Sequence, residues 1–286
     1  MAEPISEPVS IPVPSGSHAV MLHGERALLL AERALWLPAH DTVLVADLHW
    51  GKAATFRAAQ VPIPDGTTAE DLHRLTHVLE STHAARLVVL GDLAHARDGW
   101  HPSTLAQLVA WRIRHQPVAI DLVRGNHDQH AGDPPAALDI RCVDGPLALG
   151  PLWLCHEPPA ESPAALQGRH AIGGHFHPSV VLSGVGRQRL RLPAFIVGAH
   201  RTLLPAFTRF TGGGMYQPIP EDRPYVIADG EVIAVEGAAE RRQRNGGETA
   251  ERRGQGGGGT AEGRQRAHDS GNHGSGDSDS QPAETG

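Results

Sequence analysis

The stretch "VLVADLHWGK" (residues 43–52) carries the reading of the fold. Val43, Leu44, Val45 and Ala46 make an apolar run of strand length. An acid and an imidazole, Asp47 and His49, follow two residues apart where that run ends. Side chains two apart on an extended chain point the same way. Such a pair is either part of a metal site or an ordinary surface turn, and the rest of the chain decides between them.

Apolar segments of strand length recur at 42–47, 86–92 and 118–128, with helical spacing between them. Leu72, Leu75, Val78 and Leu79 mark a helix over 67–83, and Leu105, Leu108 and Trp111 another over 104–114. Strand–helix–strand alternation predicts a parallel sheet at the centre. Later segments at 152–157, 170–175, 179–184, 195–200, 225–230 and 231–237 have short turns between them and are expected to run antiparallel. "ADGE" (228–231) is the candidate tight turn. Together these predict an α/β fold, a two-sheet sandwich.

Composition sets the boundaries. Residues 238–286 hold no Val, Ile, Leu, Met or aromatic side chain and are expected to be a disordered polar tail. Residues 1–17, rich in Pro and Ser, are expected to be a flexible arm, which leaves one domain over 18–237. The net charge of −7 gives no sign of a protein that coats nucleic acid. Two cysteines, Cys142 and Cys155, do not suggest a disulfide framework. Acids and prolines stand where a signal peptide would need basic and apolar residues, and no run reaches the ~18 apolar residues of a membrane helix. A soluble cytoplasmic protein without membrane attachment is expected.

Metal-type ligands close each apolar segment in turn: Asp47 and His49, then Asp92 in "GDLAHA", then Asn126 with His127 and Asp128 in "RGNHD", then His156, then His175 and His177 in "GGHFHP". In open α/β sheets the carboxyl ends of strands line the ligand crevice, so these residues should converge. Two aspartates, one asparagine and four histidines are too many for one cation; two metals ~3.5–4 Å apart would use them all. The mixed nitrogen and oxygen set suits manganese first, with iron, zinc or cobalt as alternatives, and disfavours magnesium and calcium. Glycines before Asp92, Asn126 and His175 are expected to let the backbone turn sharply without a Cβ clash.

The ordered blocks "DLH" (47–49), "GD" (91–92), "GNHD" (125–128), His156 and "GHFH" (174–177) resemble the calcineurin-like metallophosphoesterases. "DLHWGK", "ERALWLP" (32–38) and "LPAFTRFTGG" (204–213) further resemble the bacterial ligase-associated members. That group is described as a DNA-damage-response endonuclease or phosphodiesterase linked to a DNA ligase and a helicase. The resemblance implies a four-layer α/β/β/α sandwich. It implies two divalent cations, one held by Asp47, His49 and His177, the other by Asn126, His156 and His175, with Asp92 bridging. It also implies in-line attack on phosphorus by a metal-bridging hydroxide, with DNA as substrate. His127 would be the general acid and Asp128 would orient its ring. Arg124 would assist phosphate binding.

Trp50 could stack on a base or pack over the site's edge, and Lys52 could touch phosphate or be solvated. Arg187, Arg189 and Arg191 alternate on a strand, as either a phosphate-binding stripe or a solvated face. His95 and His200 are read as packed or surface side chains rather than ligands, and Cys155 as core rather than a partner of His156. Two alternatives stand beside the nuclease: a nucleotide or cyclic-nucleotide phosphodiesterase, and a non-enzymatic binding scaffold.

Overall fold

Every residue of Thr42–Val45 is buried, because this strand is covered on both faces. The structure, a computed structural model, describes residues 13–235 except 59–65, 160–165, 185, 187, 212, 217 and 218. The first sheet follows chain order: β1 (His18–Leu22), β2 (Glu25–Leu30), β3 (Ala34–Leu37), β4 (Thr42–Val45), β5 (Arg86–Leu90), β6 (Ala119–Val123) and β7 (Ile140–Val143). Strands β1 to β4 pair antiparallel; β4 to β7 pair parallel. Parallel neighbours need crossovers, and these contain α1 (Lys52–Ala58), α2 (Thr67–Thr82), α3 (Pro102–Arg114) and α4 (Asn126–Ala131).

One pleat face of this sheet packs under helices. Val43, Val45, Leu87, Val89, Ile120 and Leu122 share a core with Leu72, Leu75, Val78, Leu79 and Leu108. The other face, Leu44, Ala46, Val88, Leu90 and Val123, meets Leu152, Leu154, Ile172 and Phe195 of the second sheet. Burial on both faces turns the usual alternation into a continuous apolar run. Each such side chain contributes about 1.5–3 kcal/mol, so a charge at any of these positions would open the sandwich.

The second sheet contains β8 (Leu147–Leu149), β9 (Leu152–Leu154), β10 (His170–Gly173), β11 (Pro178–Ser183), β12 (Arg189–Val197), β13 (Arg201–Leu203) and β14 (Gly214–Met215), in the order β14-β11-β12-β13-β10-β9-β8. β15 (Arg223–Ala228) joins β12, and β16 (Glu231–Ala234) joins β15. The expected antiparallel order is corrected for β9, β10 and β13, which pair parallel, as do β11 and β14. The chain between β9 and β10 is long enough for a crossover, and β13 reaches β10 only after the β11–β12 excursion, so sequence neighbours are not spatial neighbours here.

The "ADGE" turn forms as expected, with Ala228 opposite Glu231 and positive φ at Asp229 (49°) and Gly230 (78°), the dihedral signature of a type I′ hairpin. His23 and Gly24 repeat it between β1 and β2, a pair of strands that the periodicity did not bring out. Just before β1, Ser17 Oγ donates to the Pro14 carbonyl (2.6 Å), and the Val232 amide donates to Gly16 (2.8 Å). Residues 1–12 and 238–286 lie outside the described residues. The architecture is the expected α/β two-sheet sandwich, and no described helix is long and apolar enough to cross a membrane.

Candidate metal centre

Strand β4 ends at Val45, so strand alternation is not what aims Asp47 and His49. Both take left-handed backbone, φ 55° and 46°, as do Asp92 (52°), His175 (69°) and His177 (45°). Residues other than glycine rarely adopt this conformation, and each instance costs about 1–3 kcal/mol unless its surroundings enforce it. Here they do. The amides of Asp47, His49 and Trp50 donate to the carbonyls of Gly91 (3.1 Å), Asp92 (2.8 Å) and Leu93 (2.8 Å), zipping the loops after β4 and β5 together.

Asp128 holds the same loop from the other side. Its buried carboxylate accepts from the amides of Asp92 (2.8 Å), Leu93 (2.9 Å), Ala94 (3.4 Å) and Gly125 (2.8 Å). Asp128 thus fixes backbone, while the expected partner of its carboxylate, the His127 ring, pairs through Nδ1 with the His95 carbonyl.

The seven expected ligand residues converge as two groups of donor atoms. In one, His177 Nε2 lies 3.3 Å from Asp47 Oδ1 and 3.5 Å from His49 Nε2. In the other, His156 Nε2, His175 Nδ1 and Asn126 Oδ1 lie 3.0–3.1 Å from one another. Asp92 stands between: Oδ2 is 3.8 Å from His49 Nε2 and Oδ1 is 3.5 Å from His156 Nε2. The ring of His156 donates from Nδ1 to the Leu90 carbonyl (2.9 Å), which leaves the Nε2 lone pair facing Asn126 and Asp92. Burial, with Lys52 and then His177 adding to it, holds His49 down to about 2. That neutral imidazole is the form a cation needs.

These groups fit a divalent cation. Asp47 Oδ1 is buried and has no hydrogen-bond partner among the described residues, an arrangement that is costly without a counter-charge. Asp47, His49 and His177 form one set able to hold a metal, and Asp47, Asp92 and His156 another.

A third set, His49, His95 and His127, brings in a residue that the sequence did not mark as a ligand. His95 stacks on His127 (5.3 Å between centroids, 24°), its carbonyl accepts from His127 Nδ1 (3.0 Å), and burial holds its ring down to about 4. Phe56 stacks on the other side of His95 at 6.0 Å and meets Phe210 edge-on at 5.9 Å. The only available sequence signal was its place three residues after Asp92 in "GDLAHA". His200 is exposed and His170 is buried.

Two residues expected at the substrate, Trp50 and Arg124, have partners within the protein. Trp50 is 3% exposed and packs edge-on against Trp111 beneath the helices; its β-bridge to Ala94 turns the side chain inward. Arg124 is tied to Asp133 (2.9 Å) and Asp144 (2.8 Å). Lys52 stays at the rim, its pKa lowered by burial and its Nζ 5.9 Å from the Phe210 ring centre. The glycines before Asp92, Asn126 and His175 act chiefly through the Cβ they lack. Gly91 alone of the three has positive φ (79°). A Cβ on Gly91 would lie 2.1 Å from His156 Nδ1, on Gly125 2.4 Å from Asp92 Oδ1, and on Gly174 2.4 Å from Asp47 Oδ2. They make room for ligand side chains.

The solved structure of the Pseudomonas putida nuclease MPE matches with a TM-score of 0.67 at 40% sequence identity, over 77% of this chain and 100% of that one. Yfce, a phosphoesterase from E. coli, matches at 18% identity with a TM-score of 0.37, over 68% of this chain and 97% of that one. No protein-family model and no curated protein matches the chain. With 40% identity along the entire length of the P. putida nuclease, and its Asp, Asn and His side chains converging at the strand ends, the chain belongs to the metallophosphoesterases, hydrolases of phosphoester bonds, in the ligase-associated nuclease group.

Proposed function

We propose that the protein is a DNA nuclease, a phosphodiesterase that works with two divalent cations, manganese foremost. The observation that supports this reading is the division of the Asp92 carboxylate, one oxygen toward each donor group. Asp47, His49 and His177 would hold one cation, and Asn126, His156 and His175 the other. Bound there, the cations would supply Lewis acidity toward a phosphodiester and make water nucleophilic at neutral pH.

The chain's own groups do the rest. Asn126 keeps an exposed side chain at the mouth of the site. His127 donates from Nδ1 to the His95 carbonyl, which turns Nε2 toward the site; as the doubly protonated imidazolium, it would hand its Nε2 proton to the departing oxygen and keep the Nδ1 hydrogen bond. Phe56 and Phe210, beside His95, offer aromatic faces to an unpaired base. The P. putida relative is a nuclease by name, which favours this reading over a small-molecule diesterase. Two unpaired cysteines suit a reducing cytoplasm. A part in DNA repair beside a DNA ligase and a helicase rests on the resemblance alone.

The test pairs a substrate panel with metal analysis. With Mn²⁺ the protein should cleave single-stranded DNA and bis-p-nitrophenyl phosphate and carry two ions per chain, and Asp92→Ala should abolish both activities. Turnover of cyclic nucleotides with DNA untouched would remove the nuclease. Retained activity in Asp92→Ala would remove the bridging role.

A further inference from the structure

His177 belongs to the donor groups, and it also forms one wall of a second hollow that the reaction does not require. This pocket, of about 170 Å³, is lined by Arg33, Arg191, Ser179, Pro193, Thr211 and Gly213 among others. Its lining includes two arginines and no carboxylate. Neither arginine is ion-paired to an acid among the described residues, in contrast to Arg124, Arg86, Arg112 and Arg141.

Both guanidinium groups are aimed by the protein and keep donors free. Arg33 Nη1 donates to the carbonyls of Ala206 (3.1 Å) and Thr208 (2.8 Å), leaving Nε and Nη2. Arg191 donates from Nε to Ser179 Oγ (2.7 Å) and from Nη2 to the Gly213 carbonyl, leaving Nη1. Arg33 sits in the β2–β3 turn at φ 70°, a conformation that favours glycine or asparagine, so the turn places an arginine there at a cost in backbone strain. Burial, with Arg74 and Arg209 nearby, lowers its pKa to about 10. Asp71 offsets this only in part. A wider hollow with Arg33, Arg74 and Arg209 in its lining continues from there, although Glu32 and Asp229 line it too.

We propose that the Arg33–Arg191 pocket holds the phosphate next to the scissile one, so that the enzyme selects polynucleotides over diesters with a single phosphate. Arginine forks match phosphate oxygens in geometry and charge, and His177 makes the pocket continuous with the candidate metal centre. The inference rests on the nuclease reading and goes beyond it by placing the strand.

The experiment compares three DNA dinucleotides: one with only its internal phosphodiester, one with an added 5′-phosphate, and one with an added 3′-phosphate. One phosphorylated form should be cleaved about tenfold better in kcat/KM, the scale of one charge-assisted contact. Arg191→Ala should shrink that advantage below threefold, and Arg191→Lys, which keeps the charge, should retain part of it. The salt dependence of oligothymidylate cleavage should also become shallower in Arg191→Ala, by ~0.7 in log–log slope. Dinucleotide cleavage with no gain from either phosphate, or a full gain in Arg191→Ala, overturns the pocket and leaves the nuclease standing. Bis-p-nitrophenyl phosphate turnover with no cleavage of any DNA overturns both.

Discussion

Gly125→Ala tests how the site is built. Gly125 lies at φ −95° and ψ −179°, extended backbone that alanine accepts, so the substitution brings no dihedral strain. Its effect is steric. The new Cβ would lie 2.4 Å from Asp92 Oδ1, 2.7 Å from Asp92 N and 3.0 Å from His156 Cδ2. Cβ contacts essentially never fall below 3.0 Å, which leaves a shortfall of 0.6 Å (3.0 − 2.4) at the carboxylate. The Asp92 backbone cannot retreat easily, since its amide is held by Asp128 at 2.8 Å. Metal–ligand distances tolerate only about ±0.2 Å, so the carboxylate should give way and metal affinity should suffer more than the fold. Overpacking of this kind costs ~1–3 kcal/mol, and disturbing a ligand's support costs roughly 10–100-fold in metal affinity. Mn²⁺ titration of bis-p-nitrophenyl phosphate hydrolysis, with thermal melts alongside, reads both effects. Gly184→Ala, whose Cβ meets nothing nearer than 3.5 Å, serves as control. Wild-type metal affinity in a folded Gly125→Ala protein would refute the reasoning.

His127→Ala should lower DNA cleavage about 10²–10⁴-fold and bis-p-nitrophenyl phosphate turnover far less, because nitrophenolate leaves without a proton; equal losses on both substrates would remove the general acid. Trp50→Ala should lower stability by about 3–5 kcal/mol in denaturant melts, and Trp50→Phe should leave KM for DNA unchanged, since the ring lies in the core. Arg124→Ala should change kcat/KM by less than about threefold, its guanidinium being committed to two exposed acids in pairs of ~0–1 kcal/mol each. His170 is buried against Thr202 and its pKa is lowered from 6.5 to about 4, chiefly by burial. The neutral ring is therefore the folded form: its stability is full above pH 6.5 and is lost as pH falls toward about 4. The wild type should lose roughly 3 kcal/mol more than His170→Gln across that window, read as the pH dependence of melting.

What the sequence revealed depended on whether the relevant physics is local. The central strands were legible because Val43–Ala46 and Leu87–Leu90 are apolar throughout, and the hairpin at Asp229–Gly230 because its two residues tolerate positive φ. The parallel pairing of β9, β10 and β13 was not legible, since register between strands separated by a crossover leaves no mark in either segment. Trp50 and Arg124 misled for a related reason. Each stands one to three residues from a ligand, yet a β-bridge turns one inward and two acids on other segments capture the other. His95 failed in the opposite direction, because nothing in "GDLAHA" indicates that its ring will stack on His127.

The candidate centre adds a distinct lesson about what the motif residues are for. Asp47 and His49 were read as a pair on an alternating strand, and they do meet, but the strand has already ended. Left-handed backbone at five ligand positions aims the side chains, and residues that touch no substrate enforce it: Asp128 by accepting four amides, Gly91, Gly125 and Gly174 by leaving out a Cβ. Such positions read in sequence as a ring-orienting carboxylate or as glycines at sharp turns, because the letters carry the chemistry of a side chain and not the direction it faces. The same holds for "ERALWLP" and "LPAFTRFTGG". They are far apart in the chain, yet the carbonyls of Ala206 and Thr208 in the second anchor Arg33 of the first. An arginine held in that way cannot be distinguished from a solvated one until both segments are seen together, so the pocket beside His177 emerges only from the folded chain.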